Sequence, residues 1–246
     1  MELRPFDEFS RGENLAVVWV NSDSIKEAPN SWLKVWNSAR ERLCTDGAAN
    51  TVMKLAIKGV AINPTVIAGD FDSITKEALQ YFNEKCIIKH TPDQDFTDLS
   101  KTLTVITETT SYTRNQIKTV LILGGQSGRF DHTLSTLNSI ICFQRSTKNS
   151  TSVYSVDSTN LTLIISTKSR ISTDKEKITG KCGILPICQT ETRVTTTGFR
   201  WNVTDEKFEY GGLISSCNEV VDGTLTIEST APVVLTIELK SPNSFI

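Results

Sequence analysis

The chain has 246 residues, of which 38% are hydrophobic and 22% charged, and a formal net charge of −2. That length holds one large domain or two modest ones. The charge balance lacks the basic field of a nucleic-acid binder, and no apolar run approaches the roughly 18 residues that span a membrane.

In chain order, Leu15–Val20 reads as a strand and Ser31–Leu43 as a helix, with Trp32, Trp36, Ala39 and Leu43 on one face. Thr65–Ala68 is a short apolar run closed by Gly69-Asp70, and a helical stretch follows at Lys76–Phe82. Cys86–Lys89 is the next run, followed by a helical segment from Thr97 to about Ile106. Thr119–Leu123 ends in Gly124-Gly125, and Asp131–Phe143 reads as a helix. Strands alternating with helices form βαβ units, so residues 1–150 predict an α/β domain on a parallel sheet. From 151 to 246 the texture changes to Thr, Ser, Val and Ile, alternating at Asn160–Ser166, Arg193–Thr197 and Thr224–Ser229 and punctuated by glycines. That pattern predicts an antiparallel β-sandwich domain.

In a parallel sheet the segments after each strand emerge at one carboxyl edge, where α/β folds bind ligands. Those segments are Asp46-Gly47-Ala48, Gly69-Asp70-Phe71-Asp72-Ser73, Asp93-Gln94-Asp95-Phe96-Thr97-Asp98 with Lys101, and Gly124-Gly125-Gln126-Ser127-Gly128-Arg129-Phe130-Asp131-His132. Carboxylates gathered this closely repel unless a cation or protons neutralise them. A hard ion such as Mg²⁺, held by a few carboxylates and by substrate phosphates, suits them. Lys101 and Arg129 would meet phosphate oxygens, and the glycines let backbone N–H groups approach them. Taken singly, Asp72, Asp95 and Asp131 read equally well as helix N-caps. Convergence of four loops on one edge is what favours a site.

Known motifs narrow the chemistry. There is neither a P-loop nor a dinucleotide fingerprint. Asp93-Gln94-Asp95 resembles the start of an EF-hand loop, but the sixth position is Asp98 and the twelfth Thr104, which excludes calcium sensing. Six cysteines without a CxxC pair argue against a zinc site or a disulfide framework and for reduced thiols in the cytoplasm. The polar, charged opening Met1–Gly12 predicts no secretory signal. The sequons at Asn149, Asn160 and Asn202 are then expected to stay unmodified. His90 reads as structural.

The three later loops, in their order and spacing, resemble thiamine pyrophosphokinases of the eukaryotic type. Asp46-Gly47-Ala48-Ala49-Asn50 is similar to that family's earlier acidic turn, and Trp201 and Gly211–Asn218 are similar to its thiamine-binding segments. The resemblance implies an ATP- and Mg²⁺-binding catalytic domain over 1–150 and a thiamine-binding β-sandwich over 151–246, assembled as a homodimer with shared active sites. It implies transfer of pyrophosphate from ATP to the thiamine hydroxyl, releasing AMP. By the same resemblance Asp46, Asp70, Asp72 and Asp98 are the metal carboxylates, and Asp70, Asp72, Asp95 and Asp98 act in catalysis. Gln94, Thr97, Lys101, Gly125, Arg129, Asp131 and His132 surround the nucleotide, while Trp201, Ser215, Ser216 and Asn218 meet thiamine. A flat cationic ring suits a tryptophan face, although on spacing alone Trp201 reads equally as a core aromatic. Two rivals stand beside this reading: a phosphatase of the haloacid dehalogenase type, where Asp-x-Asp also follows a strand, and a noncatalytic nucleotide-binding module.

Overall fold

Runs such as Leu15–Trp19 and Thr119–Leu123 have no polar face, so strands made from them need cover on both sides. The computed structural model, which describes residues 1–21 and 28–246, supplies that cover. The chain divides into two units, Glu8–Asp157 and Met1–Asp7 with Ser158–Ile246.

After β1 (Glu2–Leu3) and α1 (Pro5–Ser10), the larger unit alternates strand and helix. It runs β2 (Leu15–Trp19), α2 (Asn30–Ser38), β3 (Glu41–Thr45), α3 (Asp46–Ile57), β4 (Val66–Gly69), α4 (Lys76–Phe82), β5 (Ile87–His90), α5 (Asp98–Glu108), α6 (Thr110–Thr113), β6 (Thr119–Leu123), α7 (Phe130–Ser146) and β7 (Ser152–Val156). The strands lie parallel in the order β7-β6-β2-β3-β4-β5. Strand order reverses between β2 and β6, and at such a switch point the departing loops splay apart to leave a crevice. Beneath it, Trp32 and Trp36, one turn apart on α2, each meet Trp19 edge-on at 5.5 Å. These rings anchor the helix to the centre of the sheet.

Two local expectations need correction. The helix expected over Ser31–Leu43 stops at Ser38, and Leu43 belongs to β3, in register with Val18 on one side and Val66 on the other. The Arg40 N–H donates to the carbonyls of Gly12 and Leu15, which turns the chain out of the helix and starts it along the sheet. Asp46-Gly47-Ala48, read as a loop, is the first turn of α3. Its buried Ala48, Ala49, Val52 and Met53 supply a helical apolar face. β7, whose Ser-Val-Tyr-Ser-Val composition resembles the later half, extends the parallel sheet beside β6.

In the second unit follow β8 (Asn160–Ile165), β9 (Ser169–Ser172), β10 (Ile178–Pro186), β11 (Thr192–Thr197), β12 (Glu206–Phe208), β13 (Ser215–Glu219), β14 (Thr224–Ser229) and β15 (Val233–Leu239). β13-β10-β15-β8 form one antiparallel set. The other runs β1-β9-β14-β11-β12, antiparallel but for the β1–β9 pair. Burial alternates along β11 and β14, as expected of strands with one face in a sandwich core. The expected fold, an α/β unit and an antiparallel β-sandwich unit, is the fold observed. Among the described residues, no helix is long and apolar enough to cross a membrane.

Candidate active site

The acidic loops are built first by backbone. α3 begins directly after β3, so Asp46 projects from its first turn, where Oδ1 accepts the Gly47 N–H at 2.6 Å and Oδ2 the Ser73 N–H at 3.2 Å. β4 can end beside it because residue 69 is glycine: a Cβ there would stand 2.7 Å from the Asp46 Cβ. The chain then turns through Phe71 at φ 68°, a left-handed conformation that costs a side-chain-bearing residue about 1–2 kcal/mol. Three contacts hold the turn. The Asp72 N–H donates to Asp70 Oδ1 at 3.2 Å, His90 Nε2–H donates to the Asp70 carbonyl at 3.1 Å, and the Phe71 and His90 rings lie 5.1 Å apart. His90 is thus a structural prop, as expected. One oxygen from each of Asp46, Asp70 and Asp72 comes within 4.8 Å of the others. Three carboxylates without a thiol or imidazole form a donor set suited to a hard divalent cation such as Mg²⁺.

Lys101, on the second turn of α5, reaches back into this acid. Its ammonium is 2.8 Å from Asp98 Oδ1, 3.4 Å from Asp70 Oδ2 and 3.2 Å from the Asp93 carbonyl, with only 6% of its side chain exposed. Gln94 Nε2 donates to the same Asp70 oxygen at 3.1 Å. The two neighbouring carboxyls are consequently driven apart. Burial, then the charges of Asp98 and Asp70, raise Asp46 above the ordinary carboxylate value. Burial also opposes ionisation of Asp70, but the Asp72 N–H, Gln94 and the Lys101 charge outweigh it and hold Asp70 below that value. Lys101 is raised in turn: burial opposes its charge, and Asp98 and Asp70 prevail. Opposed shifts on adjacent groups in a cleft are a mark of functional sites.

The other wall comes from α5 and α7. Thr97 caps α5 through the Ser100 N–H at 3.2 Å, and the hydroxyls of Thr97 and Ser100 lie 3.2 and 2.7 Å from the buried Ser139 hydroxyl of α7. The Gly125 carbonyl accepts from Thr136 Oγ1 at 2.7 Å, which seats the glycine loop on α7. Arg129 and Asp131 form an exposed two-pronged pair. None of the suspected N-caps acts as one: Thr75 caps α4, Thr97 caps α5 and Arg129 occupies the position before α7. Between the walls lies a cleft of about 480 Å³. Asp46, Asp70, Gln94, Asp95, Thr97 and Asp98 line one part of it, and Gly125, Arg129 and His132 another. Asp72, Lys101 and Asp131 are not part of this lining: Lys101 is buried, and Asp72 and Asp131 are exposed. α3, α5 and α7 all point their N-termini here, and partial positive charge at helix starts favours anions. Asn21, Ser135 and Thr136 also line the cleft and escaped the sequence reading. Asn21 sits two residues beyond β2, at the same strand end as the aspartates, and that position was the available signal.

In the β unit, Trp201 is 57% exposed and therefore no core aromatic. The buried Asn218 spends its whole amide on backbone and one hydroxyl. Oδ1 accepts the N–H groups of Trp201 and Glu219, and Nδ2 donates to the Trp201 carbonyl and to Ser215 Oγ. The Arg200 guanidinium covers the Trp201 ring at 5.1 Å. Ser216 lines a separate groove of about 390 Å³ with Cys217 and Lys181.

Known proteins agree with this architecture. Residues 32–154 match the family described as thiamin pyrophosphokinase, catalytic domain, and 168–234 match thiamin pyrophosphokinase, vitamin B1 binding domain. Thiamin pyrophosphokinase 1 of Caenorhabditis elegans is 37% identical over 241 residues, covering 98% of this chain and 96% of its own. Thiamine pyrophosphokinase 1 of Oryza sativa subsp. japonica is 33% identical over 239 residues, covering 92% and 88%. The crystal structure of yeast thiamin pyrophosphokinase has the same fold, with a TM-score of 0.80 at 23% identity over 97% of this chain and 90% of that one. These matches define a transferase of the kinase class. The chain belongs to the thiamin pyrophosphokinase family and is an enzyme of that family. Neither the phosphatase nor the noncatalytic module survives this assignment.

Proposed function

We propose that the protein transfers pyrophosphate from ATP to the hydroxyethyl oxygen of thiamine, giving thiamine diphosphate and AMP in an Mg²⁺-dependent reaction. The observation that carries the reading is the convergence of Asp46, Asp70 and Asp72 beside the buried Lys101. When bound, Mg²⁺ supplies charge neutralisation and a template for the phosphate oxygens. Asp46, Asp70 and Asp72 would hold it, with Asp98 paired to Lys101 behind them. Lys101 and Arg129 balance phosphate charge, the glycine loop around Gly125 and the α7 start with Asp131 and His132 seat the nucleotide, and Thr97 and Asp95 close its near wall. Gln94, beside Asp70, faces the reacting group. Phosphoryl-type transfer depends on positioning and electrostatics more than on covalent help, and this inventory fits that demand.

Trp201, Ser215 and Ser216 would receive thiamine, with Asn218 holding Trp201. We place them in a homodimer whose β unit completes the cleft of the partner chain. Six free cysteines support a cytoplasmic setting. The test is direct: purified protein with ATP, Mg²⁺ and thiamine, products resolved by chromatography. AMP appearing in step with thiamine diphosphate supports the reading, whereas ADP with thiamine monophosphate overturns it.

A further inference from the structure

Asn50, one helical turn after Asp46 on α3, does not line the cleft. Its amide is committed to the segment that carries the acidic turn into α4. Nδ2 donates to the Ser73 carbonyl at 2.9 Å, and Oδ1 accepts the Thr75 N–H at 2.9 Å. Those partners fix the amide's orientation, because a carbonyl can only accept and an N–H only donate. Bonding one residue's carbonyl and the N–H two residues on is what a neighbouring strand does. Asn50 thus replaces a strand partner for a segment that has left the sheet.

The consequence falls on the acidic trio. Asp46 Oδ2 accepts the Ser73 N–H at 3.2 Å, so both polar groups of the Ser73 backbone are held by α3. Ser73 Oγ in turn donates to Asp72 Oδ1 at 2.6 Å. The path runs from Asn50 through Ser73 to the Asp72 carboxylate, while the same helix presents Asp46. Like charges brought this close push their segments apart, so the turn needs a restraint that does not depend on a cation already being there.

We propose that Asn50 is a positioning residue for the divalent-cation site, holding Asp72 at the distance from Asp46 and Asp70 that the ion requires. This rests on the magnesium reading above. Outer contacts of this kind change metal affinity by about 10–100-fold.

The test measures binding without turnover. Mn²⁺, as a stand-in for Mg²⁺, is titrated into the purified metal-free protein and followed by electron paramagnetic resonance, with folding checked by circular dichroism. Asn50→Ala is expected to weaken Mn²⁺ binding by about tenfold or more. Ser73→Ala, at an exposed residue that leaves the backbone bonds intact, is expected to weaken it in the same direction. Their effects should be less than additive, because they act in series. Asp72→Asn is the reference. If it lowers affinity while both other variants bind as wild type, the inference on Asn50 is overturned and the magnesium reading stands. If Asp72→Asn leaves binding unchanged, the magnesium reading itself falls and the inference with it. Should Asn50→Ala unfold, unchanged Mn²⁺ affinity in folded Ser73→Ala overturns the path on its own.

Discussion

Asn218 grips Trp201 at both ends of one residue, its Oδ1 accepting the Trp201 N–H at 3.2 Å and its Nδ2 donating to the Trp201 carbonyl at 2.9 Å. The bulky ring is displayed to solvent on a backbone held at both its N–H and its carbonyl. Asn218→Ala leaves two buried-side N–H groups without their acceptor, and a loss of about 1–3 kcal/mol in stability is expected. If the grip serves thiamine binding, KM for thiamine rises by about tenfold, roughly 1.4 kcal/mol, while kcat changes little. The other three tryptophans are buried, so thiamine quenching of fluorescence reports on Trp201 and should weaken in the variant. A fall in melting temperature with unchanged KM would remove Asn218 from the site.

The acidic turn has a different signature. Asp70→Asn and Asp72→Asn are each expected to lower kcat by about a hundredfold or more, the scale of one preorganised electrostatic group. Melting should not fall in Asp72→Asn, since removing one of several adjacent negative charges relieves repulsion, whereas Asp70→Asn gives up the ion pair with the buried Lys101 and should melt lower. Normal turnover in both variants would exclude the assignment.

Lys101 is the cation that offsets the negative charge of Asp70 and Asp98. Lys101→Met keeps the buried stem and removes the charge. The Asp70 carboxyl, held low partly by that charge, should then titrate at higher pH in a carboxyl-resolved NMR experiment. The sign follows for stability. A depressed Asp70 contributes stability that is present above its unfolded pKa and lost as pH falls through its folded value, so the variant loses this contribution at neutral pH. Added Mg²⁺ should raise the melting temperature of Lys101→Met more than that of wild type, and equal gains would contradict the role.

The proposed sharing of each site between two chains predicts complementation. Asp72→Asn and Trp201→Ala, unfolded together and refolded as a mixture, should form hybrids in half the dimers, with one intact site in each. Activity should return to about a quarter of wild type. No recovery, with hybrids confirmed by native mass spectrometry, would rule out sharing between chains.

Much of the site was legible because its aspartates sit where a parallel sheet must deliver them, and Lys76–Phe82, Thr119–Leu123 and Thr224–Ser229 were bounded as the structure bounds them. The failures have physical causes. Leu43 keeps a helical spacing from Trp36, yet pairing with Val18 and Val66 decides its conformation, and no local pattern encodes a partner strand. Asn218 sits in a segment similar to a substrate-binding one, and its commitment to Trp201 depends on β13 meeting the loop between β11 and β12, where Phe199 bridges Val220. Asn21 and Ser139 carry no charge or motif to single them out. Their roles come from residues distant in sequence: Ser139 meets Thr97 and Ser100 of α5, and the Asn21 N–H donates to Thr45 Oγ1.

Thr97, Ser100 and Ser139 weld α5 to α7, whereas Asp46 and Asn50 weld α3 to the turn after β4. The crevice therefore has two jaws, each braced by its own hydrogen bonds. Lys101 and Gln94 reach from one jaw and land on the same oxygen of Asp70 in the other, at 3.4 and 3.1 Å. Such contacts lose their grip if the gap widens by an ångström. One carboxylate oxygen thus ties the two edges of the cleft together, and a phosphate that draws Lys101 away from it leaves Gln94 as the remaining tie.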